Sequence, residues 1–220
     1  MSGPRIALIH AMQLAIEPVV EAFRQLWPQA RVTNLLEDSL APDLAAAGRI
    51  TPAITGRFVS LARYSEHCGA NAVLFTCSAF GAAIDEAKGS VGIPVLKPNE
   101  AMLEDALAVG SRVALLTTFE PSIPSLKAEL EHLAAVRGIK LDISTRTIPA
   151  AITALQQGRG AEHDRLIAAA AAEIGSCDAL VLGQFSMARA ASGIAAAPGR
   201  SVFTSPQSAV NRLKQMFDAR

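Results

Sequence analysis

The chain has 220 residues, half of them hydrophobic, with 20 basic residues balanced against 20 acidic ones. That balance excludes a polybasic nucleic-acid or membrane surface. The length suits one large or two small α/β units. Three cysteines, Cys68, Cys77 and Cys177, are an odd number without metal-type spacing, which argues for a reducing, cytoplasmic setting and against a disulfide framework. The apolar run at 6–9 is too short for a signal core, and no run approaches the roughly 20 apolar residues of a membrane helix.

In chain order, residues 5–10 read as a short buried strand of a parallel sheet. An amphipathic helix over 17–27 sets Val20, Phe23 and Trp27 on one face, and Pro28 stops it. A second strand covers 31–36. Residues 37–50, with acidic side chains, Pro42 and Gly48, read as a loop or lid. A helix over 54–67 follows, carrying Phe58, Leu61, Ala62 and Ser65, and Gly69 ends it. The strand 73–76 runs into Cys77 and a helix over 78–88. A short strand lies at 93–96, and a helix over 99–109 has Asn99 as its N-cap.

The pattern then restarts. The strand 112–117 repeats 5–10 at an offset of 107. The same offset carries 72–77 onto 179–184 and 95–97 onto 202–204. Between these lie a helix over 122–137, a strand over 139–143 and an alanine-rich helix over 161–174. Three strand-like segments at one constant offset read as an internal duplication. The expected fold is α/β, with two pseudo-symmetric parallel-sheet halves. The first half takes 1–98 plus 206–220, and the second 99–205. The helices at 99–109 and 206–217 are candidates for crossing between them.

Ligands of parallel sheets bind at the carboxyl ends of strands. Two facing halves would place four loops around one cleft, and the polar residues collect there: His10, Thr76, Cys77, Ser78, Thr117, Thr118, Gln184 and Ser186. Cys77 leaves a strand and opens a helix, where a helix dipole would lower its pKa. A buried structural thiol is the competing reading. Phe80, Phe119 and Phe185 follow the loops closely and suggest an apolar or aromatic acid.

The duplicated architecture, Thr76-Cys77-Ser78 after a strand, Leu115-Leu116-Thr117-Thr118 and Val181-Leu182-Gly183 together resemble the aspartate/glutamate/hydantoin racemase superfamily. Its relatives include maleate isomerase and arylmalonate decarboxylase. The resemblance spans nearly the whole chain. It implies a cofactor-independent enzyme acting at the carbon alpha to a carboxylate, with a small carboxylate substrate and a homo-oligomeric state. In the family one cysteine from each half exchanges a proton with that carbon. Here Cys77 matches the first cysteine and Gln184 takes the place of the second. Glutamine donates hydrogen bonds but has no useful pKa.

The resemblance therefore implies Cys77 as single catalytic acid/base. Thr117, Thr118, Ser78 and Ser186 are carboxylate contacts, with Thr76, His10, Gln184 and Phe185 completing the binding set. Two alternatives stay open: a cofactor-free decarboxylase of a malonate-type diacid, and a non-catalytic small-acid binding protein. A Cys77–His10 hydrolase is a further option. His10 is a second base, a carboxylate contact or a structural histidine. Cys68 and Cys177 read as core fillers, and His67, His132 and His163 as surface residues. No metal-ligand cluster is visible.

Overall fold

The computed structural model describes residues 3–194 and 200–219. The chain divides into two compact units, residues 1–98 with 209–220, and residues 99–208. Each is a four-stranded parallel sheet with helices.

In the first unit the strands are β1 (Arg5–His10), β2 (Arg31–Leu36), β3 (Ala72–Phe75) and β4 (Val95–Leu96), in sheet order β2-β1-β3-β4. The helices are α1 (Ile16–Leu26), α2 (Leu40–Ala47), α3 (Pro52–His67) and α4 (Gly81–Lys88). β3 is buried along its whole length, as a central parallel strand with both faces covered must be. β2 is mostly exposed, an edge strand. The core gathers Ile9, Leu40, Ile54, Phe58, Val73, Phe75, Phe80 and Ile84. On its other flank Trp27 stacks with Phe23 at 6.1 Å and tilts against Phe217 at 5.7 Å.

The second unit begins with α5 (Glu100–Val109). It continues through β5 (Arg112–Thr117), α6 (Ile123–Val136), β6 (Asp142–Thr147), α7 (Pro149–Gln156), α8 (Gly160–Ala172), β7 (Ala179–Leu182) and β8 (Ser201–Thr204). Its sheet order, β6-β5-β7-β8, repeats the first. The helix α9 (Ser205–Asp218) ends the described chain.

The repeat holds at the level of single hydrogen-bonded partners. Ile6 pairs with Ala72 and Val113 with Ala179, both 107 residues on. Val73 pairs with Val95 and Leu180 with Val202, again 107 on. The turns before the central strands match as well. Asn71 Oδ1 accepts the Arg5 N–H, and Asp178 Oδ2 accepts the Arg112 N–H.

The outer strand breaks the constant offset. Arg5 pairs with Arg31, but Arg112 pairs with Asp142, an offset of 142 − 31 = 111. α6 is 14 residues long against 11 for α1. A longer helix pushes β6 along the chain, so the strand lies at Asp142–Thr147 and not at 139–143.

Other expectations need correction. Residues 37–50 are not a bare loop, because α2 occupies Leu40–Ala47. Pro42 lies in its first turn, where a missing N–H costs nothing, and Gly48 ends it at φ 65° in the left-handed region. α7 was not anticipated; Pro149 begins it, again at a position that tolerates proline. The strand expected over 93–96 shrinks to Val95–Leu96. Asn99 precedes α5 but makes no side-chain cap. Its Oδ1 instead accepts the buried Ser205 hydroxyl at 2.6 Å. Thr51 does cap α3, accepting the Ile54 N–H at 3.2 Å.

Candidate active site

The first cluster forms where β1 and β3 end. β3 runs out at Phe75, Thr76 follows, and Cys77 sits in extended backbone before the short 3-10 turn Ser78–Phe80. The rings of Phe75 and Phe80 both pack on Phe58 of α3, at 5.0 and 4.8 Å. Cys77 is thus held between two buried aromatic anchors two and three residues away. Its own side chain is partly exposed, and Ser78 is partly exposed beside it.

At the same strand ends a polar chain runs from buried Thr76 and His10 out to Asn34 on the edge strand. His10 Nδ1 is 2.8 Å from Thr76 Oγ1, and His10 Nε2 is 3.0 Å from Asn34 Oδ1. An amide oxygen only accepts, so Nε2 carries the proton and Nδ1 accepts from the Thr76 hydroxyl. His10 is fully buried, and burial lowers its pKa, with the Asn34 contact opposing in part. Both ring nitrogens are spoken for. Asn34 is the member of this chain that sequence reasoning missed. The available signal was an asparagine in the middle of a strand, a place that disfavours it.

Burial also raises the Cys77 thiol, and the Ala79 backbone N–H opposes this more weakly. The expected lowering by a helix dipole does not hold. Desolvation of the thiolate outweighs the one backbone N–H that favours it.

The second cluster forms where β5 and β7 end. Thr117 Oγ1 lies 3.3 Å from Thr147 Oγ1. Gln184 follows Gly183 in the position that Cys77 holds in the first unit. Its Oε1 accepts the Thr118 N–H at 2.8 Å and the Thr118 hydroxyl at 3.3 Å. Its Nε2 donates to Ser122 Oγ at 3.0 Å, and Ser122 Oγ donates to Phe119 O at 2.7 Å. Gly183 leaves little room here: a Cβ would stand 2.8 Å from Leu126 Cδ1, which would have to move aside, and 3.2 Å from Leu116 O. Ser186 is buried at the start of the 3-10 segment Phe185–Gly193. Phe185 and Phe80 are core side chains, whereas Phe119 is exposed.

The structure thus brings His10 together with Thr76, and Thr118 together with Gln184. Elsewhere, Cys177 is buried as expected, but Cys68 is exposed and no core filler. His163 is fully buried and not a surface residue. Its Nδ1 is 2.8 Å from Asp164 Oδ1, which also accepts from Arg189 Nε at 2.9 Å. Among the described residues no group of three His, Cys, Asp or Glu side chains could hold a metal, and no helix is long and apolar enough to cross a membrane.

A family model described as Asp/Glu/hydantoin racemase matches residues 15–213. The fold is similar to that of a glutamate racemase from Bacillus anthracis, at 14% identity, covering 100% of this chain and 83% of that one, with a TM-score of 0.70. It is similar to an allantoin racemase from Klebsiella pneumoniae, at 18% identity, 99% and 89% coverage and a TM-score of 0.69. It is also similar to an unliganded arylmalonate decarboxylase, at 18% identity, 96% and 92% coverage and a TM-score of 0.63. No curated protein sequence matches the chain.

Proposed function

Because the chain belongs to the Asp/Glu/hydantoin racemase family, we propose that it is a cofactor-independent enzyme doing proton chemistry at the carbon alpha to a carboxylate, with Cys77 as its single acid/base residue. One observation carries this reading. Cys77 stands at the end of a central strand, and its register-matched counterpart in the second unit is Gln184. A glutamine neither gives nor takes a proton in the useful range, so one residue does the proton transfer.

In this reading the remaining strand-end residues bind and orient. Ser78, Thr117, Thr118 and Ser186 supply hydroxyl or N–H donors for carboxylate oxygens. His10 and Thr76 hold the cysteine's strand end in place, and Gln184 and Phe185 shape the second cluster. Donors fixed before the reaction stabilise the enolate-like charge that develops when the carbon loses a substituent.

A second reading is favoured by the raised pKa of Cys77. A thiol that rests protonated is a proton donor from the start. In a decarboxylation the carbon–carbon bond to one carboxylate breaks and carbon dioxide leaves. The electron pair stays on the alpha carbon, and the Cys77 S–H delivers its proton there. The thiolate then regains a proton from water. A racemisation must first form the thiolate, against the burial that disfavours it.

The test is turnover in deuterium oxide on a panel of glutamate, aspartate and arylmalonate. The native protein is expected to exchange the alpha proton or release carbon dioxide, and Cys77→Ser to lose at least about 100-fold of that rate. Deuterium in recovered substrate of inverted configuration marks the racemase, and deuterium confined to product marks the decarboxylase. Undiminished turnover by Cys77→Ser overturns both.

A further inference from the structure

The Gln184 amide does more than fill the place of a cysteine. Its orientation is fixed by chemistry, because a flipped amide would set Nε2 against the Thr118 N–H, donor against donor. One oxygen taking a backbone N–H and a threonine hydroxyl has the hydrogen-bond pattern of a bound carboxylate oxygen. Thr118 is buried at 2% exposure, so no outside acceptor reaches these two donors while Gln184 lies on them. Gln184 itself is partly exposed, on a side chain with three rotatable bonds. Besides the two Thr118 contacts, its amide is held among the described residues by the Ser122 hydroxyl, to which Nε2 donates at 3.0 Å.

We infer that Gln184 is a displaceable gate on a carboxylate-binding pair made by the Thr118 N–H and Oγ–H. The incoming carboxylate takes the place of the amide oxygen. The inference rests on the carboxylate chemistry proposed above and adds a specificity rule to it. A carboxylate oxygen forms charge-assisted hydrogen bonds roughly twice as strong as those of an amide, so it wins the exchange. A neutral amide or ester only replaces one uncharged oxygen with another and gains nothing. The gate therefore selects acids over their amides.

The experiment is binding, not turnover. Malonate and malonamide are titrated into the native protein, Gln184→Ala and Gln184→Glu by calorimetry at constant ionic strength. The Thr118 amide is followed by its nitrogen–proton shift. Gln184→Ala removes the internal competitor, so malonate is expected to bind about tenfold tighter, with the Thr118 amide shifting on binding. Gln184→Glu keeps the shape and leaves a fixed anion on the same donors, so malonate is expected to bind at least tenfold more weakly. The native protein is expected to prefer malonate over malonamide.

Weaker or unchanged malonate binding by Gln184→Ala overturns the gate, as does an unmoved Thr118 amide or equal binding of malonamide. A merely structural Gln184 would give weaker binding in both variants. Failure of the gate with Cys77-dependent turnover intact leaves the proposed reaction standing. Loss of Cys77 dependence with the binding pattern intact leaves the gate standing.

Discussion

His10 Nδ1 stands 2.8 Å from Thr76 Oγ1, and both side chains are buried. That contact ties the end of β1 to the residue immediately before Cys77. The second ring nitrogen of His10 is closed off by Asn34. Replacing His10 by alanine leaves the Thr76 hydroxyl only the longer contact to Ile9 O at 3.4 Å and opens a cavity. His10→Ala is expected to cost about 2–4 kcal/mol in urea unfolding and to lower turnover.

Asn34 sits on an edge strand and is itself exposed, so an ordinary substitution there would move stability by about 0.5 kcal/mol or less. Asn34→Ala is expected to cost more, about 1–2 kcal/mol, because it leaves the buried His10 N–H without a partner. Denaturant unfolding of Asn34→Ala beside an exposed β2 control, Thr33→Ala, checks this.

The same histidine sets a pH dependence. Unfolded, His10 binds its proton below about pH 6.5; folded, burial holds it neutral to lower pH. The unfolded chain therefore binds more protons as the pH falls below 6.5. Stability is expected to fall with it, by at most about 1.4 kcal/mol per pH unit from this group. Asn34→Asp places a carboxylate beside the ring and raises the native pKa. Unfolding midpoints between pH 7 and 5 should fall less steeply in Asn34→Asp than in the native protein.

Cys77 depends on the aromatic packing around it. Phe80 is fully buried and in ring contact with Phe58. Phe80→Ala is expected to cost about 3–5 kcal/mol. It should also let water reach the sulfur and lower the raised thiol pKa. The rate of Cys77 alkylation by iodoacetamide against pH, followed by mass spectrometry, reads both forms. The native midpoint should lie above the usual thiol range, and that of Phe80→Ala should lie lower.

The central strands were legible because they are apolar runs with both faces buried, and the 107-residue offset survived in their pairing partners. The outer strand of the second unit was not, because α6 is three residues longer than α1 and the connection after it one residue longer, a shift of four that leaves no mark in the strand's own composition. α2 and α7 were hidden by prolines that mark a first turn as readily as a break. The strand-end position of Cys77 could be read, but its electrostatics could not. That balance depends on what covers the sulfur, which the local sequence does not show. His163 was misread although Ile167, Ala170 and Ala171 follow it at helical spacing and share its buried face. The pairing of Gln184 with Thr118 and Ser122 crosses more than 60 residues, and nothing local announces it.

Under the proposed single-cysteine reaction, Gln184 also shapes the pH dependence of the rate. Two opposed thiols, one needed ionised and one needed neutral, give a bell-shaped dependence of rate on pH. A carboxamide has no ionisation to contribute, so the second limb of such a bell loses its source. The rate should follow the ionisation of one thiol, rising or falling across the alkaline range, and the sense of that single limb reports whether Cys77 begins the cycle by taking a proton or by giving one.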